Sequence, residues 1–417
     1  MIRVLIAPDK FKGTLTAAQA ARAMREGVQA ALADAAIECR PLADGGEGSH
    51  DCLRELAGSG ASVGLRELSM PLTNPNGEVR IVPYLESVQP DGHQVRHRYL
   101  ETALAIGLTL PGARQTSILD RTTRGVGEWL ARGIADCEDP AAGLHLFLGG
   151  SATSDGGFGL ARALGFEFRD ARDAAVQSFR SVLDAARVTP PAVPAGKAQP
   201  AIVIHVYTDV QNPLDGADGA ARLFGPQKGA TDREVEALEK RLLHMGRLFE
   251  ETRARSHEGR QAPLYRSAGA GAAGGLALPL LYWPAARVRF RSGIDFFLET
   301  ARVAELIQDD RPDLILSGEG ATDRGSLQGK VVAGLGRLCQ TTDAQKTAGE
   351  TPPLLIVSGA IPAADRDALV AAGFRHLYDT NQVCGERWPL TPDEARERLR
   401  ATTAFAVREF LSRRSDD

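Results

Sequence analysis

Along this chain, short apolar runs end in glycine and acid and then pass directly into helix-like sequence. RVLIAP (residues 3–8) leads into DKFKGTLT and a helix signal at Thr16. IECRPL leads into ADGGEGS and then HDCLRELAG. LHLFL (144–148) leads into GGSATSDGG and then FGLARAL. DLILSGEGATD, LLIVSGAI and FRHLYDT continue the rhythm near the C-terminus. Short apolar runs punctuated by glycine turns and followed by helices are the pattern of an open, largely parallel sheet. Ligands of such sheets gather at the carboxyl ends of the strands. The expected fold class is therefore α/β.

From about Pro71 the texture changes. TNPNGEVRIVPYLE and QPDGHQVRHRYLE place Asn-Gly and Asp-Gly turns between alternating segments, which predicts hairpins and a mixed sheet. The expectation is a discontinuous domain, residues 1–70 plus 293–417, interrupted by an inserted α/β domain over 71–292. Thr16 with Gln19, Thr231 with Glu234, and Thr391 with Glu394 have capping-box spacing and predict three helix starts. The proline- and alanine-rich stretch 188–200 reads as an exposed loop.

Bulk composition narrows the function classes. The 417 residues carry a net charge of −4 with acids and bases interleaved, which argues against a nucleic-acid or polybasic membrane surface. No apolar run reaches the ~18 residues that a membrane span needs. Five scattered cysteines without a C-x-x-C pair read as reduced thiols of a cytoplasmic protein. A Walker A loop, a G-x-S-x-G elbow and H-E-x-x-H are all absent from the sequence. His93 and His97 read as surface residues of a hairpin, and His50 as a solvated helix start. GAGAAGG (269–275) fits G-x-G-x-x-G, but EGRQAPLYRS before it is not a clear strand. A dinucleotide-dependent hydroxy-acid oxidoreductase and a non-catalytic nucleotide- or phosphate-binding protein stay open as alternatives.

What remains is a set of glycine-rich loops bearing acids and single lysines. The acids are Asp9, Asp44, Glu47, Asp155, Asp209, Glu319 and Asp323. The chain has only seven lysines, and Lys10, Lys12, Lys228 and Lys330 lie in or beside these loops. Phosphoryl transfer uses these ingredients. Carboxylates hold Mg²⁺, lysines and backbone N–H groups offset phosphate charge, and one carboxylate takes the acceptor proton.

APDKFKGTLTA, PLADGGEGS, LGGSATSDGGFG, YTDVQNPL, LFGPQKGA, GAGAAGG, SGID and LSGEGATDRGSLQGK together resemble the ordered motif series of bacterial glycerate kinases, a class unrelated to P-loop kinases. The resemblance runs from the first strand to about Lys330. It implies a Rossmann-like domain interrupted by an inserted α/β domain, with the site between them. It also implies ATP-dependent phosphorylation of D-glycerate with Mg²⁺, usually giving 2-phosphoglycerate, with 3-phosphoglycerate as the alternative. Within that expectation Asp209 leads as general base, followed by Asp44. Lys10, Lys228 or Lys330 neutralises phosphate or binds the substrate carboxylate, and Glu319 and Asp323 are the Mg²⁺ candidates. The loops 149–155 and 269–275 would cradle phosphates by backbone N–H contacts, with Gly149, Gly150, Ser151, Gly269, Gly271, Gly274 and Gly275 as binding candidates, and Asp155 would act through a cation that holds the phosphate. Asp9, Lys12, Gly45, Gly46, Glu47, Asn212 and Gly318 complete the binding candidates. No nucleic-acid or membrane partner is expected, and the chain would act as a monomer or homodimer. One departure stands out: relatives usually read E-M-A-x-A-S-G-L where this chain has ETALAIGL, with Ile106 in place of serine.

Overall fold

The apolar runs become strands in a computed structural model, which describes residues 1–58, 64–88, 95–136, 142–192, 202–254, 262–344, 352–385 and 391–415. In chain order the strands are β1 (Arg3–Ile6), β2 (Ala36–Cys39), β3 (Leu65–Thr73), β4 (Val79–Val88), β5 (Val95–Glu101), β6 (Gly143–Phe147), β7 (Glu167–Asp170), β8 (Ala185–Thr189), β9 (Ile202–Tyr207), β10 (Ala286–Arg291), β11 (Leu314–Ser317), β12 (Leu354–Ser358) and β13 (His376–Asp379). The chain divides into two units, Met1–Val63 with Ser292–Asp417, and Gly64–Arg291. The sequence places the first boundary at 70–71. β3 pairs with β4 through its whole length, from Leu65 opposite Ser87 to Thr73 opposite Val79, and so belongs to the second unit.

The first unit is built on a parallel five-stranded sheet of order β13-β12-β11-β1-β2. β11 is buried at every position, as a strand covered on both faces must be. Helices Ala17–Ala31 and Pro392–Ser415 pack together over one core, which includes Met24, Val28, Leu399 and Val407. Their closeness rests on Gly27, where an added Cβ would lie 2.5 Å from Arg400 O and 2.7 Å from Thr403 Cβ. A second core of Val332, Ile356, Ile361, Leu369, Phe374 and Leu377 completes the unit. All three capping boxes form: Thr16 with Gln19, Thr231 with Glu234, and Thr391 with Glu394.

The second unit holds a mixed six-stranded sheet of order β10-β9-β6-β5-β4-β3. β5, β6, β9 and β10 run parallel, and β4 is antiparallel to both β5 and β3. The β3–β4 turn closes as Asn74 N donates to Glu78 O at 2.7 Å, with Gly77 at φ 89°. Leu100, Leu144, Leu146, Ile204 and Val206 share one core with Trp129, Phe158, Leu242, Met245 and Phe249. Leu238, Leu242, Met245 and Phe249 are therefore the packing face of helix Asp232–Ala254.

Among the histidines, His97 departs from its reading as a surface residue. Its Nδ1 lies 2.9 Å from His145 Nε2, and His145 Nδ1 lies 2.8 Å from Tyr207 Oη. Burial holds the His145 imidazole well below its ordinary range, and pushes His205 down to about 4. His50 is buried rather than solvated. His93 lies outside the described residues, as do 193–200 of the proline-rich stretch; Val188 belongs to β8.

Gly27→Ala tests the helix pair. It gains about 1 kcal/mol of helix propensity and loses roughly 1–3 kcal/mol to overpacking against backbone. The expected result is a fall in the thermal unfolding midpoint; an unchanged or higher midpoint would mean the two helices separate at no cost.

Candidate active site

In the first unit the chain leaves β1 toward β2 on one side and leaves β11 toward β12 on the other. The carboxyl ends of β1 and β11 therefore form a switch point, where open sheets take their ligands. Asp9 follows β1 and Glu319 follows β11. Asp9 N donates to Gly318 O at 2.9 Å, which ties the two loops together. Lys10 Nζ stands 3.6 Å from Asp9 Oδ1 and 3.6 Å from Asp44 Oδ1, and Lys330 Nζ stands 3.7 Å from Glu319 Oε2. Asp44 Oδ1 also accepts from Gly46 N at 3.0 Å, which shapes the ADGGEG turn.

Burial raises the Asp9 carboxyl to about 7. Lys10 opposes that rise, and Asp44 and Glu319 add to it. Burial likewise raises Glu319, against Lys330 and a hydrogen bond from Ser326. Glu319 Oε1 is buried with no hydrogen-bond partner among the described residues. Asp323 is placed differently: its Oδ1 accepts from Ser326 N at 3.1 Å as the cap of a short 3-10 helix, Arg324–Leu327. Lys12 is exposed, with no carboxylate at ion-pair distance among the described residues, and Glu47 is half-buried. Gly318 serves the sheet, since a Cβ there would lie 1.8 Å from Val357 O.

In the second unit four loops meet beyond the ends of β6 and β9. Leu148 N donates to Tyr207 O at 3.0 Å, Gly271 N to Asn212 O at 3.1 Å, and Gly156 N to Gly274 O at 3.0 Å. Lys228 is the centre of this assembly. It is 3% exposed, and its Nζ donates to Thr153 O at 2.6 Å, Ser151 Oγ at 3.0 Å and Ser154 Oγ at 3.5 Å. Burial pushes it down to about 7, with Asp155 opposing and Arg121 assisting. In this arrangement Lys228 holds the 151–154 loop.

Asp155 also points inward. Its carboxylate accepts from Thr123 N at 2.9 Å, Thr123 Oγ1 at 3.0 Å, Gly157 N at 3.1 Å and Gly159 N at 3.0 Å. With all four bonds internal, it braces the loop. Ser151 is buried as well, which leaves half-buried Gly149 and exposed Gly150, at φ 62°, as the accessible part of this loop.

The glycines of 269–275 have a packing role that the motif did not reveal. A Cβ on Gly274 would lie 2.5 Å from Thr153 O, and one on Gly157 would lie 2.5 Å from Leu276 O. Gly271 would meet Pro213 O at 2.1 Å, and Gly275 would meet Leu214 Cδ1 at 2.5 Å. Gly269, at φ 81°, has ordinary contact distances of 3.5 Å to Val210 O and Phe290 Cδ1. Asn212 is buried, donates to Pro213 O at 3.3 Å, and keeps Oδ1 without a partner among the described residues. Asp209, half-buried, lies two positions past the end of β9.

The family model described as "Glycerate kinase family" matches residues 4–409. The chain belongs to the glycerate kinase family. It is 30% identical to a glycerate kinase of Bacillus subtilis over 90% of either chain. It is 32% identical to a glycerate 2-kinase of Escherichia coli over 81% of this chain and 82% of that one. A crystal structure described as a glycerate kinase 2 from Salmonella typhimurium LT2 superposes with a TM-score of 0.71 at 28% identity, covering 100% of both chains. The α/β class and the enzyme class read from the motifs are therefore those of the family.

Three contributors within this glycerate kinase were not singled out from sequence. Gly293 lets the Asp44 loop rest on a helix start, since a Cβ there would lie 2.1 Å from Asp44 O. Arg121 is buried and donates through Nη1 to Lys228 O at 2.8 Å and Ala152 O at 3.2 Å. Thr123 holds Asp155. The SGID motif was a signal for the first; an arginine in an arginine-rich chain carried none for the second. Ile106 is fully buried in the core, and its carbonyl accepts from Ala152 N at 2.8 Å. The serine-to-isoleucine departure thus falls on a side chain packed away from solvent.

Two outcomes follow from this geometry. Lys228→Met frees the 151–154 loop, and turnover on glycerate should fall by about 10²-fold, the scale of a 1 Å misplacement; wild-type turnover would show the clamp to be dispensable. Asp9 binds its proton more tightly folded than unfolded, so its contribution to stability is full below the ordinary carboxylate range and is lost as pH rises through about 7. Asp9→Asn should therefore raise the unfolding midpoint relative to wild type at pH 8 and lose that advantage near pH 4.

Proposed function

We propose that this enzyme transfers the γ-phosphoryl group of ATP to the 2-hydroxyl of D-glycerate, giving 2-phosphoglycerate and ADP. The carrying observation is the meeting of Asp9, Lys10, Asp44, Glu319 and Lys330 from three separate loops at the switch point of a parallel sheet. The E. coli relative described as a glycerate 2-kinase supports the 2-phosphate as product. Lys10 and Lys330 offset charge on the transferred group. Backbone N–H groups of Gly149 and Gly150 hold phosphate oxygens. Asp209 takes the proton of the attacking hydroxyl, with Asp44 as the second candidate.

Mg²⁺ fits the donor set at Glu319, whose Oε1 is buried without a hydrogen-bond partner among the described residues. Mg²⁺ needs only one or two carboxylates when phosphate and water fill its other positions. Among the described residues no group of three or more His, Cys, Asp or Glu could hold a metal by itself. Asp323 has one oxygen engaged in its helix cap, so Glu319 is the stronger candidate. When bound, the ion would neutralise charge shared between the β- and γ-phosphates. No helix among the described residues is long and apolar enough to cross a membrane. We place the enzyme in the cytoplasm, as a monomer or homodimer.

A coupled ADP-release assay with D-glycerate, L-glycerate and other small hydroxy acids tests the reaction, and NMR of the product tests the position of the phosphate. Phosphorus coupled to the C3 protons would identify 3-phosphoglycerate and overturn the regiochemistry. Asp209→Asn should lower turnover by about 10²-fold or more; a variant that turns over at the wild-type rate removes Asp209 from the role of base.

A further inference from the structure

A cavity of about 380 Å³ lies between β2, helix Ala17–Ala31 and helix Ser49–Gly58, all within the first unit. β2 is the edge strand of its sheet, and among the described residues no strand pairs with its outer side. The helix lines the space with Ala18 and Ala21, one turn apart, where longer side chains would fill it. Arg22 and Arg25 continue the same helical face, and Arg40 enters from the end of β2.

Three guanidinium groups thus line a space that also holds two carboxylates, Glu38 and Glu55. Glu38 pairs with Arg40, and Glu55 stands 3.6 Å from Arg22 in an exposed pair. Arg25 has no carboxylate partner among the described residues. It donates through Nε to Cys39 Sγ at 3.3 Å and through Nη2 to Ile37 O at 3.3 Å. Arg40 is held in place by its Nη1 bond to Cys39 O at 3.1 Å, its side chain is 14% exposed, and its Nε is buried without a partner among the described residues. Positive charge therefore exceeds negative in a recess whose floor is alanine, proline and thiol. The planar forks of arginine match the oxygens of phosphate and carboxylate. The volume falls within the range of small-molecule sites.

We propose that this cavity binds a small organic anion bearing phosphate or carboxylate groups, held by Arg25 and Arg40 with Arg22 at the rim. The site is separate from the acid–lysine cluster but close to it along the chain. From Arg40 the backbone passes through Pro41, whose carbonyl accepts from Cys52 Sγ at 3.1 Å, and Leu42, whose N donates to Pro8 O at 3.0 Å, to reach Asp44.

Titration calorimetry of the full chain tests this, with D-glycerate and ADP present at saturation to occupy the catalytic loops. The probes are inorganic phosphate and phosphoenolpyruvate, which carries both anionic groups and no hydroxyl to phosphorylate. One further equivalent of probe should bind. Arg25→Ala, which removes charge, and Ala18→Leu, which fills the recess at a half-buried helix position, should each weaken that binding at least tenfold. Glycerate phosphorylation in phosphate-free buffer should stay within twofold of wild type in both variants, which reports that they fold. Absence of saturable heat in the wild-type chain overturns the proposal, and so does binding that survives either substitution within twofold.

Discussion

Backbone resting directly on backbone is the constraint on which both sets of glycine-rich loops depend. Where a loop must be rigid but carry no bulky side chain, the cheapest support is another main chain at contact distance, and only glycine permits it. Gly274 and Gly157 each accept the other loop's backbone at a separation that a Cβ would reduce to 2.5 Å. Gly293 does the same for Asp44, and Gly318 for Val357. Hydrogen bonds then lock what the glycines bring together, through Lys228, Arg121 and Asp155 in one unit and through Asp9 and Lys10 in the other.

The same supports explain the electrostatics. A carboxyl pushed up to about 7 and an ammonium pushed down to about 7 have opposite chemistry and one cause, removal from water. Desolvation leaves each group responsive to its neighbours, so Lys10 pulls against the rise of Asp9, and Asp155 against the fall of Lys228. Groups perturbed by burial and by named charges in this way concentrate at functional sites. The histidines show that such a shift is not sufficient by itself, since burial and neighbouring charges lower them too. His145 is held well below its ordinary range, yet it sits within an imidazole and phenol array on strand β6, not in the glycine loop that follows it.

Much of the architecture was legible because it is written locally. The strand, loop and helix rhythm needs only apolar runs and punctuation, and each capping box needs two residues three apart. The glycine loops could be found for the same reason. What their side chains do could not be read, because it depends on partners far along the chain. Asp155 looks like a ligand to a cation until Thr123 takes its carboxylate, 32 positions away. Lys228 looks like a phosphate contact until Ser151 and Thr153 take its ammonium. Arg121 offers no pattern at all, since its acceptors are main-chain carbonyls. The 70–71 boundary failed for a related reason: the hairpin turn is visible at Asn76-Gly77, but the strand before it, with its half-exposed pattern, is not.

The mutual fit of residues 153–157 with 271–276 also bears on how such an enzyme can be altered. Two surfaces that touch without side chains between them have no slack, so a change in the path of one leaves the other either colliding or unsupported. Exchange of a single loop with a homologue should therefore fail more often than exchange of both together. For recombination or grafting the pair behaves as one inheritable cassette, although well over a hundred residues of chain separate its two halves.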